Sequence, residues 1–342
     1  MNLQKTAYLL ISGICLVIAL VYGQSILMPF VLGVLLWFIG RELKAFLNRI
    51  GFVKSNFPEW IKNILSVAII IGLLSIIAEV LTSNINFLAH SLDKYQPNFD
   101  SVINKLSEFT GVDVKARTKG YSGNFDFAEI LSALFASLTN IISNSFMIIL
   151  YAVFVLLEEA RFKPKLKAIF IKKSQSDRVD LLLDRIGNSI SRYFRLKTFV
   201  SLVTGVLSYI VLKIIGVDAA EFWAFLIFIL NFIPTIGSLI GTVFPAVFCL
   251  FQFGTFLEGI LVLSIVGSIQ IFVGNFLEPK LMGSSMNISP LVTILSLSIW
   301  GAMWGITGMI LSVPIAVVTI IILSQFEKTQ GVAIMLSEKG VV

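Results

Sequence analysis

Apolar residues run in long unbroken blocks along this chain, and the charges are confined to the gaps between them. Uncharged stretches cover residues 6–40, 63–78, 130–157, 222–257, 259–277 and 281–326, the last of them 46 residues long. A helix that crosses a bilayer takes about 20 consecutive apolar residues, so several blocks qualify, and no soluble core needs the longest. The blocks do not alternate polar with apolar positions, as the strands of a membrane barrel do. Backbone groups in lipid must be satisfied within their own segment, which leaves the α-helix. The predicted class is an all-α integral membrane protein. It is a polytopic helical bundle of about eight, and up to ten, membrane segments, some broken or re-entrant, plus an amphipathic extracytoplasmic helical insertion.

Three uncharged stretches (6–40, 222–257 and 288–326) are too short for two full spans at ~20 residues each. Each is interrupted near its middle: at Gln24–Pro29, at Pro234 with Gly237, and between Gly301 and Gly308. These are tight hairpins or partly re-entrant segments. Helices broken in mid-membrane free backbone groups that can face a cavity, although proline and glycine are common in membrane helices for plainer reasons. The stretch GNFLEPKLMG (274–283) places a Glu-Pro-Lys triplet between two apolar runs. Proline punctuates helices, so the triplet is expected to be a turn at a membrane boundary.

The gaps orient the chain. Residues 41–62 hold five Lys or Arg, residues 158–197 hold eleven against five acidic residues, and residues 79–129 hold five against seven. Positive loops stay in the cytoplasm, so the first two are predicted inside and the third outside, with both termini cytoplasmic. The expected organisation has an N-terminal membrane hairpin and third span (1–81), an outer helical insertion (82–129), a span (130–157) and cytoplasmic basic amphipathic helices (158–197). A C-terminal membrane core (198–326) and a cytoplasmic tail (327–342) complete it. The N-terminal apolar stretch has no small-residue cleavage site after it and reads as a retained anchor.

In the outer insertion Leu88, Leu92, Tyr95, Phe99, Val102, Leu106 and Phe109 recur at spacings of four and three, a heptad-like seam. It suits two helices, or one kinked at Pro97, lying on the membrane domain; self-association is the sharper reading. YSGNFDF (121–127) reads as a loop. In the inner insertion Val179, Leu182, Leu183, Ile186, Ile190 and Tyr193 give one apolar helical face. Its basic residues favour anionic lipid headgroups, at about 1 kcal/mol for each Lys or Arg near the surface. Nucleic acid is not an expected partner, since no aromatic-basic recognition motif is present.

Composition sharpens this picture. Of 342 residues 57% are hydrophobic and 13% charged, with a mean hydropathy of +0.93, where soluble proteins carry roughly 25% charge. Cys15 and Cys249 both lie in apolar runs and read as small buried hydrophobes. With His90 the one histidine, neither a metal site nor a histidine-dependent mechanism is expected, and no cofactor is implied. No G-x-x-x-x-G-K-[ST] loop is present, so ATP hydrolysis is not expected. No nucleophile, base and orienting group cluster, and an enzyme is the weakest class.

Carboxylates and amides in apolar runs are candidates for function by default. Glu278 reads as an ion-coupling group at the inner mouth or, more plainly, as a turn carboxylate beside Lys280. Asn231, with the Pro234–Gly237 break, reads as a substrate or ion site or as interhelical glue. Asn275 and Gln270 join the candidate pathway, Gln270 more often being a hydrogen bond between helices. Glu258 and Glu79 are further candidate coupling carboxylates that can also reach an interface. Gly205, Gly241, Gly283, Gly301, Gly305, Gly308 and Pro314 are hinge or close-packing positions, and Trp300-Gly301 with Trp304-Gly305 repeats one pair four residues apart.

Four segments then occur in order: RLKTFVSLVTG (195–205), LNFIPTIGSLIG (230–241), GNFLEPKLMG (274–283) and SPLVTILSLSIWGAMWGITGMILSVP (289–314). They resemble the autoinducer-2 exporter family through residues such as Lys197, Thr204, Gly205, Asn231, Pro234, Gly237, Gly274, Glu278, Trp300, Gly305 and Pro314. The resemblance covers essentially the whole chain. It implies a bacterial inner-membrane transporter that moves a small polar solute, the quorum signal, or an ion, driven by a gradient. A sodium or lithium/proton antiporter is the alternative within the family, and a non-transport scaffold the alternative outside it. The family also implies a homo-oligomer, with a pentamer as one form.

Overall fold

A computed structural model describes residues 3–49, 57–110, 143–169, 173–282 and 287–340, and among them the regular structure is helical throughout. In order these helices are α1 (Leu3–Tyr22), α2 (Gln24–Leu47), α3 (Glu59–Thr110), α4 (Ser145–Ile169) and α5 (Lys173–Ile215). They continue as α6 (Ala220–Leu230), α7 (Ile236–Phe253), α8 (Phe256–Met282), α9 (Pro290–Ser324) and α10 (Glu327–Leu336). Counted as single straight helices, six of these are long and apolar enough to cross a membrane, in α2, α3, α5, α7, α8 and α9, and two shorter apolar helices lie at Leu10–Tyr22 and Ala220–Leu230. The chain is a polytopic helical membrane protein.

The chain gathers into two compact units. One holds residues 1–68, 144–195 and 284–342, the other residues 69–143 and 196–283. In the first, α2 packs on α4 because Gly33 lets the backbones meet. A Cβ at Gly33 stands 2.7 Å from Tyr151 Cβ and 3.0 Å from the Ile148 carbonyl oxygen. The Trp37 indole N–H donates to Glu159 Oε2 at 2.9 Å across the same contact. The expected break at Gln24–Pro29 falls instead at Gly23, which alone separates α1 from α2. Pro29 is buried inside α2, where it costs one ladder bond, that to the Ser25 carbonyl.

Helix α9 is a hairpin. Gly305 has φ 60° and ψ −142°, outside the helical region, and contacts run antiparallel on either side of it. Ser296 Oγ donates to the Ser312 carbonyl at 2.9 Å, although 16 positions of straight helix span about 24 Å. Gly308 lies so close to Trp300 that a Cβ stands 1.9 Å from the Trp300 carbonyl oxygen. The limbs, 290–304 and 306–324, are about 22 and 28 Å long by helical rise, short of the roughly 30 Å hydrocarbon core. The expected interruption between Gly301 and Gly308 is therefore a closed tip. Pro314 is buried in the second limb. The Trp304 indole N–H, at the tip, donates to the Leu20 carbonyl of α1 at 3.0 Å.

In the second unit α3 runs without interruption through Pro97 to Thr110, so of the two expected forms the pair of helices is ruled out. The seam residues Leu88, Tyr95 and Val102 are buried, and Tyr95 meets Asp218 and Phe248 of the same unit. The loop YSGNFDF, residues 130–142 of the expected fourth span and Gly283 lie outside the described residues.

Candidate functional site

The second unit also folds residues 222–257 into a hairpin, and the sequence motifs converge on its tip. Helix α6 stops at Leu230, the chain turns through Asn231–Thr235, and α7 starts at Ile236. At about 17 Å by helical rise, α6 reaches only partway through a bilayer core. The turn is possible because Gly237 packs on the end of α6, where a Cβ stands 1.7 Å from the Leu230 carbonyl oxygen. Gly241, one turn on, lies against Ile227 with 3.5 Å from a Cβ to the Ile227 Cα. Thr235 takes φ 60° and ψ −58°, an unusual place for a β-branched residue. Strained backbone of this kind clusters at functional sites.

Helix α5 meets this tip with a polar stripe. Lys197, Ser201, Thr204 and Ser208 follow at spacings of four, three and four, and all are buried. Ser201 Oγ accepts a hydrogen bond from Asn231 Nδ2 at 3.0 Å. Thr204 is satisfied by the Val200 carbonyl, whereas Ser208 Oγ is buried with no partner. Gly205, on the flank of the stripe, lets α5 approach α6, with 3.3 Å from a Cβ to the Ala224 carbonyl oxygen.

One turn before Ser201, Lys197 Nζ pairs with Glu278 Oε1 at 2.5 Å. The lysine side chain is 5% exposed and the glutamate 23%. An isolated buried ammonium is very costly, so Glu278 is what allows Lys197 to sit there. This corrects the expected turn. Glu278 and Pro279 lie inside α8, which continues to Met282, and the partner of Glu278 is Lys197, 81 positions away, while Lys280 is exposed.

A π-helical turn at Val273–Leu277 makes the pairing possible. Upstream, the inward face of α8 is Gly259, Val262, Val266, Gln270 and Val273. An α-helical register continues that face through Leu277. One extra residue in the turn moves it to Glu278 and Met282, and Met282 is buried. The Glu278 N–H bonds back to the Val273 carbonyl, five residues earlier. Pro279 has no N–H to lose, so the change of register strands no donor there. Asn275, within the bulge, is exposed.

Gln270 is buried beside the hairpin, its Nε2 3.4 Å from where a Cβ on Gly241 stands, and that nitrogen has no partner. Glu258 sits at the opposite end of α8, bonded by the Thr255 hydroxyl, and Glu79 lies on an exposed face of α3. Neither joins the cluster. The residue that sequence reasoning passed over is Lys197: it carried the family resemblance, but nothing near it in the chain marked it as the partner of Glu278. Among the described residues, no group of three or more His, Cys, Asp or Glu could hold a metal ion.

The family model described as AI-2E family transporter matches residues 10–328. The AI-2 transport protein TqsA of Escherichia coli is 29% identical over 321 residues, covering 93% of this chain and 91% of that protein. A Haemophilus influenzae protein named "Putative transport protein" is 29% identical over 351 residues, covering 99% and 97%. A second Escherichia coli protein, "Putative transport protein YhhT", is 30% identical over 268 residues, covering 77% and 76%. By the extent of the family match, this chain belongs to the AI-2E family of transporters.

Proposed function

We propose that this protein exports a small polar solute, autoinducer 2 in the first instance, across the bacterial inner membrane, and that the solute passes the tip of the α6–α7 hairpin. The observation that carries the reading is the buried Lys197–Glu278 pair one helical turn from the Ser201–Asn231 hydrogen bond. A hydroxylated solute needs donors and acceptors to replace water, and this cluster supplies an ammonium, a carboxylate, an amide and a hydroxyl. Gln270 and the Pro234–Gly237 turn border it. Gradient coupling falls to Glu278, the carboxylate of the cluster and its most solvent-accessible member.

The positive-inside rule orients this arrangement with both termini in the cytoplasm. The α6–α7 hairpin then enters from the outer face, and Glu278 lies toward the inner mouth. Anionic lipid headgroups contact the basic stretch 158–197, and the protein works as a homo-oligomer. The test is export of autoinducer 2 from proteoliposomes loaded with it, comparing the natural protein with Glu278→Gln and Asn231→Ala. Export that falls at least tenfold in both variants, with their folding intact, supports the reading. Cation-dependent proton flux without solute movement overturns it.

A further inference from the structure

The base of the same hairpin is tied down from outside. Two turns flank it: Gly216–Ala219 between α5 and α6, and Gly254–Thr255 between α7 and α8. Gly216, Ala219 and Gly254 all have positive φ, at 83°, 54° and 69°. Such turns are where a hairpin would swing if it moved as a flap. Here they are bridged. Gln252 uses both ends of its amide, Oε1 accepting from the Asp218 N–H at 2.8 Å and Nε2 donating to the Gly216 carbonyl at 2.8 Å.

Helix α3, beyond its membrane span of 61–88, closes over this bridge with three side chains at spacings of three and seven. The Tyr95 hydroxyl donates to Asp218 Oδ2 at 2.7 Å. Asn98 Nδ2 donates to the Gln252 carbonyl at 2.7 Å, and Lys105 Nζ to the Gly254 carbonyl at 3.1 Å. The Tyr95 ring meets Phe248 of α7 edge-on at 5.4 Å. Burial, and then the Asp218 carboxylate, raise the Tyr95 pKa, so the phenol keeps the proton it donates.

We propose that the outer half of α3 is a strut that holds the base of the α6–α7 hairpin shut through the whole transport cycle, and that Tyr95, Asn98 and Lys105 are positioning residues for transport. Conformational change in the hairpin is thereby confined to its tip. The inference rests on the family's transport activity and not on which solute is carried. Five hydrogen bonds close the base. If each favours the closed form about fivefold, together they hold the open form to roughly one part in a thousand or fewer. A gate that opened at every turnover would have to break all of them.

The geometry offers a direct test. A Cβ at Gly254 lies 3.4 Å from Asn98 Cβ, close to the roughly 3.5–4.5 Å of a disulfide. Asn98→Cys with Gly254→Cys, in a Cys15→Ser, Cys249→Ala background, is oxidised in membrane vesicles. A base that stays shut cross-links nearly completely, and the cross-linked protein exports autoinducer 2 within about twofold of its reduced form. Export lost on oxidation and recovered on reduction would overturn the strut in favour of a gate. Slow, partial cross-linking would overturn it too.

Hydrogen exchange at the amides of 216–219 and 252–255 reads the same closure without any solute. Tyr95→Phe should speed it about fivefold, the share of one hydrogen bond. Unchanged exchange would count against the strut even if the cysteine pair failed to fold. Should the natural protein not move autoinducer 2 at all, cross-linking yield and exchange still decide the matter.

Discussion

Removing one partner of the Lys197–Glu278 pair should cost much more on one side than on the other. Glu278→Met leaves a lysine whose side chain is 5% exposed and which cannot reach water; an uncompensated buried charge of this kind costs about 3–5 kcal/mol. Lys197→Met leaves a carboxylate that is 23% exposed. That group can be hydrated, so the loss is about 1–3 kcal/mol. The double variant removes both charges with little change in volume and should lie near the natural protein, as buried pairs replaced by apolar residues often do. The two single losses then fail to add, by a coupling energy of roughly 4–8 kcal/mol, nearly the whole of both. Unfolding in mixed micelles, followed through the five tryptophans, measures all four proteins. Equal and additive single losses would refute the idea that the pair is desolvated as a unit. Export by the same proteins separates structure from function: a double variant that is stable but inactive supports the proposed pathway. One that is stable and fully active would reduce the pair to a structural contact.

Gly237→Ala and Gly308→Ala should each destabilise the protein by more than about 3 kcal/mol, because the new methyl stands 1.7 and 1.9 Å from carbonyl oxygens; Gly72→Ala in α3, with open space around it, should stabilise by about 0.5–1 kcal/mol, and thermal unfolding of the three checks both signs. Deleting Asn275 should remove the π-helical turn and rotate position 278 away from Lys197, so that the shortened protein loses export even where it folds. A deletion variant with natural export would show that the register of α8 is immaterial.

The apolar blocks made the membrane helices legible because a bilayer demands length and apolarity from every crossing, and no other environment demands both. The hairpins were half legible. A stretch of 36–39 residues cannot hold two full spans, so 222–257 and 288–326 had to turn early, and the glycines near their centres marked where. Gly305 and the turn before Gly237 lie inside the expected intervals. Proline was the less reliable marker, since a helix tolerates a lost donor when its neighbours close over it. Pro29 and Pro97 are both inside helices, while Gly23 makes the turn. The π-helical turn left no trace in the letters GNFL. It also erased the periodicity of α8, whose two halves bury different faces. The partner of Glu278 was hidden for a related reason. Lys280 is two positions away and Lys197 is 81, and helical register alone decides between them.

Helix α1 raises a matter of assembly. Its side chains from Leu10 to Ile18 are exposed on all sides, and the Trp304 indole bonded to the Leu20 carbonyl is its one side-chain hydrogen bond to another helix among those described. Contacts with the rest of its own chain do little to hold such a helix. On the membrane placement proposed above, the hydrocarbon around it would do most of that work, as in the first stage of membrane-protein folding, where each segment inserts before any segment associates. On that placement helix α1 should complete its own folding on entering the bilayer, before the tryptophan that tethers it, 284 residues downstream, has been synthesised.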